Sequence, residues 1–203
     1  MDYLRYIVND IHTVVAATTD DNGLPVTCAI DIMDCDEKGL YFLTAKGKGF
    51  YNRLSKEKYI ALTGIKGSNT MSSVAISVRG TVKEIGTERL SDLFEKNPYM
   101  EQIYPTEESR KALTVFCIYE GNGEWFDLSK KPIERDTFQI GNGKKMKDGY
   151  FITDKCNACG KCIPLCPQGC ISKSTPFVIQ QEHCLHCGNC LTICPVNAIE
   201  KRK

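Results

Sequence analysis

The sequence predicts a mainly β chain in two parts: a small antiparallel β-barrel with a few helices, then an α+β module folded around cysteines. Three observations carry this. Over residues 1–130, short β-branched and aromatic runs alternate with Asp-, Asn- and Gly-rich turns, the spacing of an antiparallel barrel. Helical periodicity is confined to brief stretches between those runs. Nine of the twelve cysteines then crowd between Cys156 and Cys194, in two copies of one pattern. A chain of 203 residues has room for two modest domains.

Taken in order, Leu4, Ile7, Val8 and Ile11 recur three and four apart and predict a short amphipathic helix over 3–11. Thr13 to Thr18 reads as a strand, Asp20-Asp21-Asn22-Gly23 as a hairpin turn, and Pro25 to Met33 as the returning strand. Asp36 to Gly39 turns the chain into a strand over Leu40 to Thr44, and helical spacing of Phe50, Tyr51 and Leu54 follows. Strands are expected over Tyr59 to Gly64 and over Ser72 to Ile85, the second broken by Gly80. Thr87 to Glu95 is expected as a helix with Thr87 as N-cap, ended by Asn97-Pro98. A last hairpin joins Leu113–Tyr119 to Glu124–Leu128 around Gly121-Asn122-Gly123. The barrel domain is therefore set at 1–130, a polar linker containing Lys144, Lys145 and Lys147 at 131–148, and the cysteine module at 149–203. In that module Tyr150–Ile152 and Pro176–Ile179 read as short strands leading into each cysteine run.

The cysteines speak to chemistry. A secreted disulfide framework fits poorly, because the thiols are concentrated in one stretch and the opening MDYLRYIVNDIHTVV has none of the pattern of an export signal. No apolar run is long enough to span a membrane, so a cytoplasmic location is expected. A net charge of +1 gives no field to attract nucleic acid. Cys28 and Cys117 sit in apolar runs as small hydrophobes, and Cys35 is expected to be exposed.

Cys156-x2-Cys159-x2-Cys162-x3-Cys166-Pro167 and Cys184-x2-Cys187-x2-Cys190-x3-Cys194-Pro195 are each the run of a bacterial iron–sulfur site, whose fourth cysteine ligates the other cluster. Applying that crossing, one 4Fe–4S cluster takes Cys156, Cys159, Cys162 and Cys194, and the second takes Cys184, Cys187, Cys190 and Cys166. Paired C-x2-C also builds zinc ribbons, but zinc has no use for a third x2-spaced cysteine in both copies. The module resembles the bacterial-type two-cluster ferredoxins from about Tyr150 to Ile199, which implies low-potential one-electron transfer. Cys170, the ninth thiol, stands where the second copy has Ala198 and reads as a packed side chain; His183 and His186 read as surface histidines.

In the first part, the segment from Leu40 to Leu54 ends a strand in Thr44, passes Lys46 and Lys48 among glycines, and starts a helix, an arrangement suited to a phosphate. The order of elements around it resembles the FMN-binding split barrels related to pyridoxamine 5′-phosphate oxidase, over about residues 2 to 128. That resemblance implies a dimeric split barrel with FMN near the subunit interface. It implies Lys48 on the FMN phosphate, helped by Thr44, Lys46 and Asn52, and the strand Thr27-Cys28-Ala29-Ile30 beside the isoalloxazine ring. Val74 to Arg79 lacks the arginine–glutamine pattern of the oxidase proper, and a cysteine module stands where its C-terminal substrate segment would be, so oxidation of vitamin B6 is not expected. Arg79 reads as an exterior charge and Trp125 as core or dimer interface.

A flavin exchanges two electrons and a cubane one, so the combination predicts an FMN- and iron–sulfur-dependent oxidoreductase acting on a small organic molecule. The alternative is a non-enzymatic electron carrier or redox sensor whose barrel binds a cofactor without turnover. No catalytic residue is assigned: His12 is the one histidine of residues 1–130. Expected partners are the substrate, an electron donor or acceptor protein and a second copy of the chain, with no nucleic acid and no membrane.

Overall fold

The computed structural model describes residues 1–146 and 148–202; Lys147 of the expected linker and Lys203 of the expected cluster domain lie outside the described residues. The chain divides into two compact units: Met1–Lys66, Ala75–Glu124 and Phe138–Lys145 form one, and Gly67–Val74, Trp125–Thr137 and Met146–Lys203 the other.

Most of the barrel lies in the first unit. Helix α1 (Tyr3–Tyr6) runs into one wider turn over Ile7–Ile11 and stops at His12. Strands β1 (Thr13–Thr19) and β2 (Pro25–Asp31) pair antiparallel, Thr13 opposite Asp31 and Thr19 opposite Pro25. Their turn works as its residues require: the Asp20 carboxylate accepts from the N–H groups of Asn22 and Leu24, both at 2.9 Å, and Gly23 takes φ 78°. Then come β3 (Asp34–Asp36), β4 (Gly39–Ala45), helix α2 (Gly49–Glu57), β5 (Tyr59–Lys66) and β6 (Val74–Gly86). Helices α3 (Leu90–Lys96), α4 (Met100–Ile103) and α5 (Glu107–Arg110) precede β7 (Leu113–Asp127) and β8 (Glu134–Ile140). The sheet order is β2-β1-β5-β6-β7-β4-β3, with β8 also on β7. Its interior is filled by Phe42, Phe116, Leu40, Ile60, Ile76 and Ile118, each fully buried.

Several expectations are corrected. The stretch around Gly121-Asn122-Gly123 is no hairpin: β7 runs straight through it. A Cβ at Gly121 would fall on the Arg79 carbonyl oxygen and within 2.8 Å of the Gly80 Cα, and one at Gly123 would enter the Phe138 ring. These glycines permit close approach, and Gly80, read as a break in β6, faces Gly121 for the same reason. The expected linker 131–148 holds β8, whose Phe138 stacks on Tyr3 at 4.8 Å. Helix α3 starts three residues later than expected; Thr87 instead closes a turn, its carbonyl accepting from the Leu90 N–H at 3.0 Å. Cys35 is half-buried, and burial followed by the neighbouring Asp2 carboxylate pushes its thiol up to about 11.

The second unit repeats its backbone as it repeats its sequence. Strand β9 (Gly149–Ile152) pairs antiparallel with β12 (Ile199–Arg202), and β10 (Ile171–Ser172) with β11 (Val178–Ile179). Left-handed backbone recurs at matched positions: Ala158 and His186 at φ 56° and 55°, Gly160 and Gly188 at 75° and 80°, Gly169 and Asn197 at 61° and 49°. Helix α6 (Asn189–Ile193) follows Gly188. The core packs Tyr150, Ile171, Phe177, Ile179 and Ile199 against Cys162, Cys170, Cys184 and Cys190, so thiols are a large part of what it buries.

Candidate functional site

Two cavities in the second unit collect the eight cysteines in crossed sets. One is lined by Cys156, Cys159, Cys162 and Cys194, the other by Cys184, Cys187, Cys190 and Cys166. In each, three thiols come from one run, whose left-handed residues curl the x2-spaced loop, and the fourth is delivered from the other run. Among the described residues no three His, Cys, Asp or Glu side chains converge where a single metal ion could sit. The thiols ring an apolar space, and three x2-spaced cysteines with a fourth from the other run match the ligand pattern of a four-iron cubane.

The two sites differ in their surroundings. Beside the first, the Ala198 N–H donates to Cys194 Sγ at 3.2 Å. Beside the second, the Cys170 thiol lies 3.4 Å from Cys166 Sγ and lines the same cavity, so the packed ninth cysteine is also a hydrogen-bonding one. Burial works against the Cys166 thiolate, but Cys170 and backbone donors outweigh it and hold Cys166 below the usual thiol range. The Cys170 thiol is driven far up by burial and by its bond to Cys166. Neither histidine is a plain surface group: His183 Nδ1 lies 2.8 Å from the Ile133 carbonyl, and His186 is half-buried with an unpartnered Nε2. Burial, then the Arg135 charge, holds the His186 imidazolium below its usual range.

In the barrel unit a cavity of about 350 Å³ opens at the start of α2, within the size range of small-molecule sites. It gathers much of the expected flavin site: Thr44, Lys48, Cys28, Ala29 and Ile30 all line it. Lys48 is the residue before the first turn of α2, where N–H groups stand unpaired and the helix dipole is positive. Thr44, next to last in β4, is a buried polar residue, and Leu43, Phe50 and Met100 supply apolar wall. Lys46, Asn52 and Thr27 are exposed and stand outside the lining. The Lys46 N–H donates to the Ala112 carbonyl at 2.9 Å, and Thr27 pairs with Ala17 in the β1–β2 ladder. The donor set fits a phosphorylated ligand with a flat ring system, such as FMN.

Two features escape sequence reasoning. Arg53, on α2, donates from Nε to Thr18 Oγ1 at 2.8 Å. Burial raises the Cys28 thiol, while the Arg53 and Lys48 charges pull it down, which puts two cations within electrostatic reach of the cavity. The second is a polar network. Asp31 lines the cavity and accepts from Tyr99 Oη at 2.8 Å and from Thr13 Oγ1 at 2.7 Å. His12 Nε2 lies 2.9 Å from that Tyr99 oxygen and 3.6 Å from Asp31. The His12 backbone, φ 63° and ψ −67°, is strained for a residue with a side chain. Burial and the Asp31 bond keep the Tyr99 phenol protonated far above its usual range. Of this His–Tyr–Asp network, Asp31 lines the cavity, and His12 and Tyr99 stand behind it.

The comparisons with known proteins agree with this geometry. A family model described as pyridoxamine 5′-phosphate oxidase matches residues 1–119, and one described as a 4Fe-4S dicluster domain matches residues 155–198. No curated protein matches. A NimC/NimA family protein from Clostridium acetobutylicum has a similar fold, with TM-score 0.57 and 16% identity over 68% of this chain and 90% of its own. A protein from the same organism, related to general stress protein 26 and assigned to the pyridoxinephosphate oxidase family, gives 0.52 and 21% over 67% and 91%. A heme-binding protein from Mycobacterium smegmatis gives 0.52 and 10% over 66% and 55%. No helix among the described residues is long and apolar enough to cross a membrane. A split barrel whose α2 loop offers Thr44 and Lys48 to one cavity, followed by two crossed four-thiol sites, places the chain in the pyridoxamine 5′-phosphate oxidase family, with a 4Fe-4S dicluster domain after the barrel.

Proposed function

We propose that this protein is an FMN- and iron–sulfur-dependent oxidoreductase that passes electrons between its two 4Fe–4S clusters and FMN and uses them to reduce a small organic substrate. The observation that carries the reading is the convergence of Lys48, Thr44 and the Cys28–Ile30 backbone on one cavity, in a chain that also carries two four-thiol sites. FMN, when bound, exchanges a hydride or electron pair with an organic molecule and single electrons with a cluster. The residues do the rest. Lys48 and the amino end of α2 bind a phosphate, and Arg53 adds positive charge. The apolar wall excludes water, and Asp31, with Tyr99 and Thr13 bonded to it, holds a proton-accepting group at the cavity edge. A homodimer accords with the outer face of β1 and β5, where Val15 and Ile65 are 50% and 67% exposed. A protein electron donor accords with the exposure of Cys159 and Cys187.

Anaerobic purification, an absorbance spectrum and chromatography of the released cofactor test the assignment. The expected result is FMN together with about eight irons per chain. Lys48→Ala should weaken FMN binding by about 1.5–3 kcal/mol, on the order of 10- to 100-fold in Kd, with iron unchanged. Full flavin occupancy in that variant sinks the phosphate-site assignment. Turnover of nitro, enone or quinone acceptors supports an enzyme; FMN bound with no acceptor reduced marks an electron carrier.

A further inference from the structure

We infer that Cys170 and Arg135 raise the reduction potential of the second cluster, held by Cys184, Cys187, Cys190 and Cys166, above that of the first, so that an electron entering the module settles there. The inference rests on the crossed ligand sets and not on what the barrel binds. The two halves of the module match in backbone, yet differ at one side chain beside the crossing thiolate. The first half's Cys194 receives the Ala198 N–H at 3.2 Å. Cys166, at the equivalent place, has the matching backbone donor of Cys170 and also that residue's thiol, 3.4 Å away. With Cys166 bound to iron as a thiolate, it can only accept, so the proton of that S–H···S contact belongs to Cys170.

The second difference is a strap. Residues 133–135 are tied to both ligand loops of the second site: the Ile133 N–H donates to Gln168 Oε1 at 3.1 Å, and the Ile133 carbonyl lies 2.8 Å from His183 Nδ1. This brings Arg135, whose Nη1 donates to the Cys184 carbonyl at 3.0 Å. A guanidinium keeps its charge at any accessible pH, and half-burial weakens solvent screening of that charge, while the Asp148 carboxylate offsets part of it. Reduction adds one negative charge to a cubane and breaks no bond. A thiol donor on a ligand sulfur and a nearby fixed cation both stabilise the reduced state more than the oxidised one, so both raise the potential.

The test is an EPR-monitored redox titration of the full chain with both clusters loaded, alongside Cys170→Ala, Cys170→Ser, Arg135→Gln and Arg135→Lys. The wild type should show two separate midpoint potentials. Cys170→Ala and Arg135→Gln should each lower the higher one and leave the lower one in place, with about eight irons retained. Cys170→Ser and Arg135→Lys, which keep a donor and a charge, should restore most of the shift. Coincident potentials in the wild type, or a shift confined to the lower one, would overturn the inference. Loss of four irons in Cys170→Ala would overturn it differently, by making Cys170 a ligand. Iron content near eight with no flavin leaves this result readable even if the FMN assignment fails.

Discussion

Asp36 accepts from the Tyr41 hydroxyl at 2.8 Å, the Lys38 N–H at 2.8 Å and Arg89 Nη1 at 2.7 Å. Burial pushes its carboxyl upward, but these bonds win and hold it below the ordinary carboxylate range. A carboxyl lowered in the folded state contributes stability that is complete above its unfolded value and lost as pH falls through the folded one. Asp36→Asn should therefore flatten the loss of Tm between about pH 5 and 3. Parallel Tm profiles for variant and wild type would refute the assignment. At this scale the sequence was legible where chemistry is local: Lys48 and Thr44 flank one loop, and the thiols are written in runs. His12, Tyr99 and Asp31 were not legible, because 87 residues separate the first pair and 68 the second, and only the sheet and α4 region bring them together.

At the scale of elements, glycine was the residue most easily misread. Gly-Asn-Gly is a turn signal in isolation, yet here it lies within a strand that must pass close to another. Gly121→Ala should cost about 1–3 kcal/mol by forcing β6 and β7 apart, measured as a drop in the urea midpoint. A midpoint unchanged from wild type would restore the turn reading. Helices α4 and α5 were missed for a different reason. At four residues each they are too short to show periodicity, and α5 is fixed by the reciprocal Thr106–Ser109 capping bonds. Strand β8 hid in a polar segment because its half-buried positions, Glu134 to Thr137, do not alternate cleanly with apolar ones.

For the whole molecule, the crossing of cysteines between runs makes a double-variant prediction. Cys156→Ala and Cys194→Ala should each leave about four irons, and the pair together should still leave about four, since both thiols serve one cluster. Cys184→Ala with Cys194→Ala should leave almost none. If instead the first pair empties both sites, each run holds its own cluster and the crossing is wrong.

The sequence by itself determined the two-part organisation, most of the barrel's strands and the doubled cysteine pattern from which the crossed ligand sets are proposed. Those features depend on short-range spacing, and spacing is what a sequence records directly. The tertiary structure decided which of the flavin-site candidates share a cavity, retaining Lys48, Thr44 and Cys28–Ile30 and leaving Lys46, Asn52 and Thr27 exposed outside it. It also decided that two sites of the same motif are unequal. The Cys170 thiol and the Arg135 strap act through space, and no periodicity of the chain announces which residue will lie beside a sulfur.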